Sequence, residues 1–278
     1  MKVIKTILKR KLNWVALPLV VLFLITATFA PLLAPADPST VDLEQKLSPP
    51  SHSHLLGTDH LGRDILSRLI WGARTSMGSV FLIINLVMIT SLVVGSISGY
   101  IGGKVDSLFM RICEIFLTFP TFILAMFLIG VLGTGMTNVV LAIALTHWAW
   151  YARIIRSLVL SMKNREYILA ARVVGTSHWQ IFVKHLAPPV LAQLVILATL
   201  DIGHMMLHVS GLSFLGLGVQ PPMPEWGVMI NDARQYIWTQ PELIMYPGLM
   251  IFLAVLAFNI LGDTFRDSLD PDILAEEA

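Results

Sequence analysis

Six apolar runs of bilayer length constrain this chain more than any other feature. They lie near Trp14 to Leu33, Ser76 to Ile101, Ser107 to Leu132, Thr137 to Leu160, Pro189 to Leu212 and Leu243 to Gly262. A helix needs about 20 apolar residues to cross the hydrocarbon core. No water there satisfies a bare amide or carbonyl, so each run is expected to close its own hydrogen bonds as a helix. The expected fold is an all-α integral membrane protein with six transmembrane helices. The chain is 55% hydrophobic and 13% charged, whereas a soluble domain is about a quarter charged. Six spans leave little chain for anything else, so residues 1–278 read as a single transmembrane domain. The one cysteine, Cys113, excludes an internal disulfide. A net charge of +1 says nothing by itself about nucleic acid, but the even balance of charges argues against a polyanion partner.

Basic residues orient the spans. Lys2, Lys5, Lys9, Arg10 and Lys11 precede the first span, Lys104 and Arg111 flank the second loop, and Arg153, Arg156, Lys163, Arg165, Arg172 and Lys184 surround the fourth span. By the positive-inside rule these segments are cytoplasmic, with both termini inside. Residues 1–13 place Val3, Ile4, Ile7 and Leu8 opposite the basic side chains, the pattern of a short helix lying on the inner leaflet. Ala34, Pro35 and Ala36 mimic a signal-peptide cleavage site, but the apolar run before them exceeds the length of a signal core.

Residues 161–188 form a polar insert on the side read as cytoplasmic. Tyr167, Ala170, Ala171 and Val174 share one helical face, Gly175 is placed to end that helix, and Ser177 with Gln180 fits a capping box. Pro188 is expected to close the second short helix. Taken alone, the segment fits a plain connection as well as a gripping element. The opposite loops are 34–75 and 213–242. The first carries Asp59, His60, Arg63, Asp64 and Arg68 in a stretch that reads as an interfacial helix leading into the second span. The second carries Glu225 and Trp226 among glycines and prolines. Loops of this length and rigidity commonly meet a partner or ligand.

The stretch Gly57 to Ile65, the insert Glu166 to Pro188, Ser213 to Gly218 with Pro224 to Gly227, and Leu261 to Pro271 together resemble the dipeptide/oligopeptide/nickel permease family of bacterial ABC importers. Within it, Leu200 to Val209 and Asn231 to Pro241 look most like the second permease subunit of nickel importers. The resemblance implies a type I importer permease fold in the bacterial cytoplasmic (inner) membrane. It also implies a heterodimer with a homologous permease, two cytoplasmic ATPases that bind ATP and magnesium, and an extracytoplasmic nickel-binding protein. Nickel would be the transported substrate, with no cofactor held by this chain. The insert would be the coupling loop that docks on an ATPase through Glu166, Leu169, Ala170, Ala171, Gly175 and His185. Leu169 stands where the family usually has a glutamate, and Glu166, one helical turn earlier, offers a carboxylate on the same side. Asp59, Arg63, Asp64, Glu225 and Trp226 would face the binding protein. Dipeptide, oligopeptide or cobalt-chelate import is the alternative.

The chain has no ATP-hydrolysing loop of its own. A phosphate-binding P-loop needs two glycines and a terminal Lys-Ser/Thr, and the nearest match, Ser98 to Val105, lacks the first glycine and the hydroxyl. In the fifth span His204 and His208 are four residues apart and so on one helix face, with Met205 adjacent and Asp201 nearly a turn before. Imidazole suits nickel, with thioether and carboxylate as weaker contacts. Ionisable groups in a span usually face a pathway, so these four are expected to line the metal path. Separate hydrogen bonds to neighbouring helices are the plainer alternative. A metalloprotease would need Glu where Met205 stands, and a passive channel would have no use for a coupling loop. His147, Trp148 and Trp150 read as interfacial aromatics, with an approach to the same cavity as the alternative; His52 and His54 read as solvated loop residues, with metal collection as the alternative; and Met223, Met229, Met245 and Met250 read as packing. Asp263, Arg266, Asp267 and Asp270 read as structural ion pairs.

Overall fold

The computed structural model describes residues 10–269. Most of the expected 1–13 interfacial helix, and Asp270, lie outside them. The described residues are helical, with one isolated bridge between Thr58 and Asp64. In chain order the helices are α1 (Asn13–Leu33), α2 (Ile65–Ile101), α3 (Gly103–Thr118), α4 (Thr121–Leu132), α5 (Met136–Met162), α6 (Glu166–Val173), α7 (His178–Ile181), α8 (Ala187–Phe214), α9 (Trp226–Ala233) and α10 (Glu242–Leu269). Five stretches are long and apolar enough to cross a membrane, and six if α3 and α4 count as one.

Three expectations need correction. The third run is no straight rod, because α3 and α4 meet at 91°. Pro120 precedes α4 with a non-helical ψ of 127°, and a residue before proline is steered away from helix, as the extended Phe119 is. Residues 65–74 are no separate interfacial helix but the first turns of the 37-residue α2. Asp64 starts that helix by accepting from Ser67 N at 2.8 Å. Pro188 does not close the second hairpin helix either. Phe182–Leu186 form a π-helical turn and Pro188 and Pro189 sit in the first turn of α8. Two prolines give no N–H to the carbonyls four residues back, and their rings press on them. A wider turn, with Ala187 N–H reaching Phe182 O, carries the helix through.

α5 sits at the centre of the bundle: 61% of its apolar window is buried, against 22% for the peripheral α1. α2 packs along it, and Gly95 and Gly99 let the two backbones close. A Cβ at Gly95 would lie 2.7 Å from Ala152 O, and one at Gly99 2.9 Å from Arg156 O, the small-residue spacing that brings membrane helices together. Hydroxyls facing lipid are satisfied within their own helices, Thr26 on Leu22 O and Thr90 on Leu86 O. α1 kinks at Phe29, two residues before Pro31. The two described chain ends meet: Arg10 pairs with Asp267, and Thr264 donates to Asn13 Oδ1 at 3.0 Å. Asp267 is thus paired with the segment that leads into α1.

Candidate translocation path and coupling hairpin

Halfway along α5 and α8 a polar cluster crosses the apolar core. Asp201 is buried. Tyr151 donates to its Oδ2 at 3.1 Å. His147 Nε2 lies 2.7 Å from the same oxygen, close enough for a charge contact though out of line for a hydrogen bond. His204 Nδ1 lies 3.5 Å from Oδ1, with its side chain 71% exposed. His208 makes no direct contact with Asp201 but lies within electrostatic reach of Asp201, His147 and His204, its ring stacked on Phe122 at 5.9 Å and its buried Nδ1 without a hydrogen bond. Met205 is fully buried in the hydrophobic core, so it packs the bundle and does not share a surface with His204. Among the described residues no three His, Cys, Asp or Glu side chains are grouped to hold a metal ion. Of the four residues singled out in the fifth span, Met205 therefore separates from the others. Asp201 and His204 stay together with His208 in electrostatic reach, and His147 and Tyr151 of α5 join Asp201 directly. His147, which reads as interfacial with this cavity as the alternative, and Tyr151, which no sequence motif singles out, share an i, i+4 spacing at mid-span that was the available signal. His147 is not at a helix end, as an interfacial aromatic would be.

The cluster lies beside the α3–α4 elbow. Phe116 meets Trp148 edge-on at 5.6 Å, and Phe122, just past the bend, covers His208. A broken helix next to ionisable groups at mid-depth is a recurrent construction of transport sites.

The residues expected to face a binding protein do the opposite. Asp59, Arg63, Asp64, Glu225 and Trp226 are all buried. Arg63 Nε donates to Asp59 Oδ2 at 2.6 Å and Nη2 to Asp232 Oδ2 at 3.3 Å. Arg68 approaches the same two acids at 3.3 and 3.8 Å. Two buried guanidinium groups, Arg63 and Arg68, are neutralised by Asp59 and Asp232, whose carboxylates keep a narrow edge on solvent. Asp64 caps α2 and meets His54 Nδ1 at 3.0 Å, so His54 is structural too. Glu225 caps α9, accepting from Val228 N at 3.0 Å, and takes Ser76 Oγ at 2.8 Å. Burial pushes its carboxyl pKa up, and the Gly227 amide and Ser76 hydroxyl only partly oppose this. Trp226 Nε1 donates to Leu69 O at 3.1 Å, and its ring meets Phe23 at 5.8 Å. These residues clamp the two loops onto α2. His60 stacks on Tyr236 at 5.8 Å, and burial pushes its pKa down against the pull of Asp59 and Asp232. Large exposed apolar residues of these loops include Leu43, Leu55 and Trp238.

At the other end α6 and α7 make the hairpin. Gly175 ends α6 with φ +83°, and Thr176 N and Gly175 N reach back to Ala171 O and Arg172 O at 3.0 Å, a glycine C-cap. Ser177 caps α7 through Gln180 N at 3.3 Å. Ile168 is buried and Tyr167 leans on His185 at 5.9 Å, joining the two arms. Glu166, Leu169 and Ala170 are exposed, as are Val173, Val174 and Trp179. Such a set of bare apolar side chains at a hairpin tip marks an interaction surface.

Residues 91–275 match the family described as the binding-protein-dependent transport system inner membrane component. The chain belongs to this family. Residues 2–50 also match the N-terminal transmembrane domain of oligopeptide transport permease C. The chain is 56% identical to the nickel transport system permease protein NikC of Escherichia coli strain K12, over 95% of each chain. It is 40% identical to the dipeptide transport system permease protein DppC of Alkalihalophilus pseudofirmus, over 96% of this chain and 88% of that one. It is 39% identical to the metal-staphylopine import system permease protein CntC of Staphylococcus aureus strain NCTC 8325, over 100% of this chain and 96% of that one. A binding-protein-dependent permease subunit with these helices is a multi-pass inner-membrane protein.

Proposed function

We propose that this chain is the permease subunit of an ATP-driven nickel importer working by alternating access, with both termini on the cytoplasmic side. The observation that carries the reading is the gap in identity between the nickel permease, at 56%, and the dipeptide and metal-staphylopine permeases, at 40% and 39%. A carboxylate and imidazoles at mid-span support it, since a divalent cation crossing an apolar bundle needs anionic and nitrogen groups at the depth where solvation is weakest. Asp201, His147 and His204 supply passing contacts, loose enough for release, and His208 stands behind them at the elbow. His204, exposed on this chain, faces the homologous permease, which completes the path.

The hairpin docks on one of two ATPase subunits, which hold ATP and magnesium and hydrolyse it. Its exposed Leu169, Val173, Val174 and Trp179 supply the apolar contact, and Glu166 the carboxylate. An extracytoplasmic binding protein delivers the cargo to the outer loops, where Leu43, Leu55 and Trp238 are exposed while the clamp below keeps those loops rigid. This chain binds no cofactor of its own. Uptake of radiolabelled nickel, cobalt and dipeptide in cells carrying the complete complex tests the reading. Deleting this chain should abolish ATP-dependent nickel uptake, whereas normal nickel handling with lost dipeptide uptake would overturn it.

A further inference from the structure

α2 is fastened at both ends. Its outer end is held by the Asp64 cap, by Trp226 Nε1 on Leu69 O and by Ser76 Oγ on Glu225 Oε1. Its inner end is held to the hairpin. Tyr100, one residue from the end of the helix, brings its hydroxyl to 2.7 Å from His178 Nδ1, the two rings meeting edge-on at 5.7 Å. The Arg172 guanidinium carbon lies 5.8 Å from the centre of the Tyr100 ring. Lys163, where α5 runs into the hairpin, donates to Gly99 O at 2.8 Å. One tyrosine thus touches both arms of the hairpin, α6 through Arg172 and α7 through His178.

Between these anchors α2 runs unbroken for 37 residues, about 55 Å at 1.5 Å per residue, with no proline inside it. The helix carries Gly-Ser pairs but no break in its helical backbone, and packing along α5 through Gly95 and Gly99 supports it on one side, so a displacement at one end is carried along it. We propose that Tyr100 is a coupling residue: through His178 and Arg172 it ties the hairpin to α2, so that displacement of the hairpin reaches the clamped outer loops along that helix. Tyr100 meets neither cargo nor nucleotide and acts by positioning. The inference rests on the reading of the hairpin as the ATPase-docking element.

The test uses the complete reconstituted complex, with its homologous permease, ATPases and binding protein. Two quantities are measured: retention of the ATPases on purification, and nickel transported per ATP hydrolysed. Tyr100→Phe keeps the ring and removes the hydroxyl, and His178→Ala removes its partner. Each should leave ATPase retention intact and lower nickel per ATP about two- to tenfold, the worth of one hydrogen bond. The double variant should fall no further than the worse single one, because both lose the same contact. A tyrosine that only anchors the helix end at the membrane interface would leave the ratio unchanged. An unchanged ratio in either single variant, or additive losses in the double, overturns the inference alone. Failure of the ATPases to stay with the unaltered permease overturns the docking reading and this inference with it.

Discussion

Arg63 is 1% exposed and shared between Asp59 and Asp232, so its value is that of a charge that cannot be removed singly. Arg63→Ala leaves Asp59 and Asp232 to share Arg68, one negative charge in excess in a largely buried cluster, and should cost about 3–5 kcal/mol, read as a lower melting temperature of the detergent-solubilised protein. A melting temperature equal to that of the unaltered chain would mean the clamp is wet. Glu225 carries a pH signature. Its pKa is raised by burial, so the folded chain holds that proton more tightly than the unfolded one. The resulting stabilisation is complete below the ordinary carboxylate pKa of about 4.5 and is lost as pH rises through the higher folded value. Glu225→Gln keeps a cap and has no proton to lose. The melting temperature of the unaltered chain, relative to this variant, should therefore fall between acid and neutral pH, and a constant difference would refute the assignment.

At the scale of elements, the hairpin turn depends on one backbone conformation. Gly175 has φ +83°, and a side chain there costs about 1–2 kcal/mol. Gly175→Ala should lower the population of correctly turned hairpin roughly five- to thirtyfold, read as weaker retention of the ATPases in a pull-down with no change in the helix content of the permease. The elements that sequence periodicity placed well are those whose hydrogen bonds are local, such as the Ser177 cap and the Gly175 stop. It misplaced the start of α2 and put a break between α7 and α8, because an amphipathic first turn or a pair of prolines reads as a boundary. A cap from Asp64 and a π-turn at Phe182–Leu186 override both.

For the whole molecule, the mid-membrane cluster and the topology are the two claims to test. Asp201→Asn keeps an oxygen for the Tyr151 hydroxyl and removes the charge. Nickel uptake should fall on the order of tenfold, the difference between a charged and a neutral contact, with assembly intact; full uptake would take Asp201 out of the path. The native Cys113 is buried, so engineered thiols report topology cleanly. A membrane-impermeant thiol reagent should label Trp238→Cys from outside intact cells and Val174→Cys only after permeabilisation, and the reverse pattern would invert the proposed orientation. The sequence by itself determined that the chain crosses a bilayer as helices, since apolar length and backbone hydrogen bonding in lipid admit no other form. It also determined where the hairpin turns, because caps and glycine stops act within a few residues. Only the tertiary structure decided that Asp59, Arg63 and Glu225 are buried clamps, that Met205 belongs to the core, and that His147 and Tyr151 join Asp201. Those outcomes depend on which helix face meets which neighbour across long stretches of chain, and an exposed ligand and a buried, neutralised ion pair are spelled with the same residues.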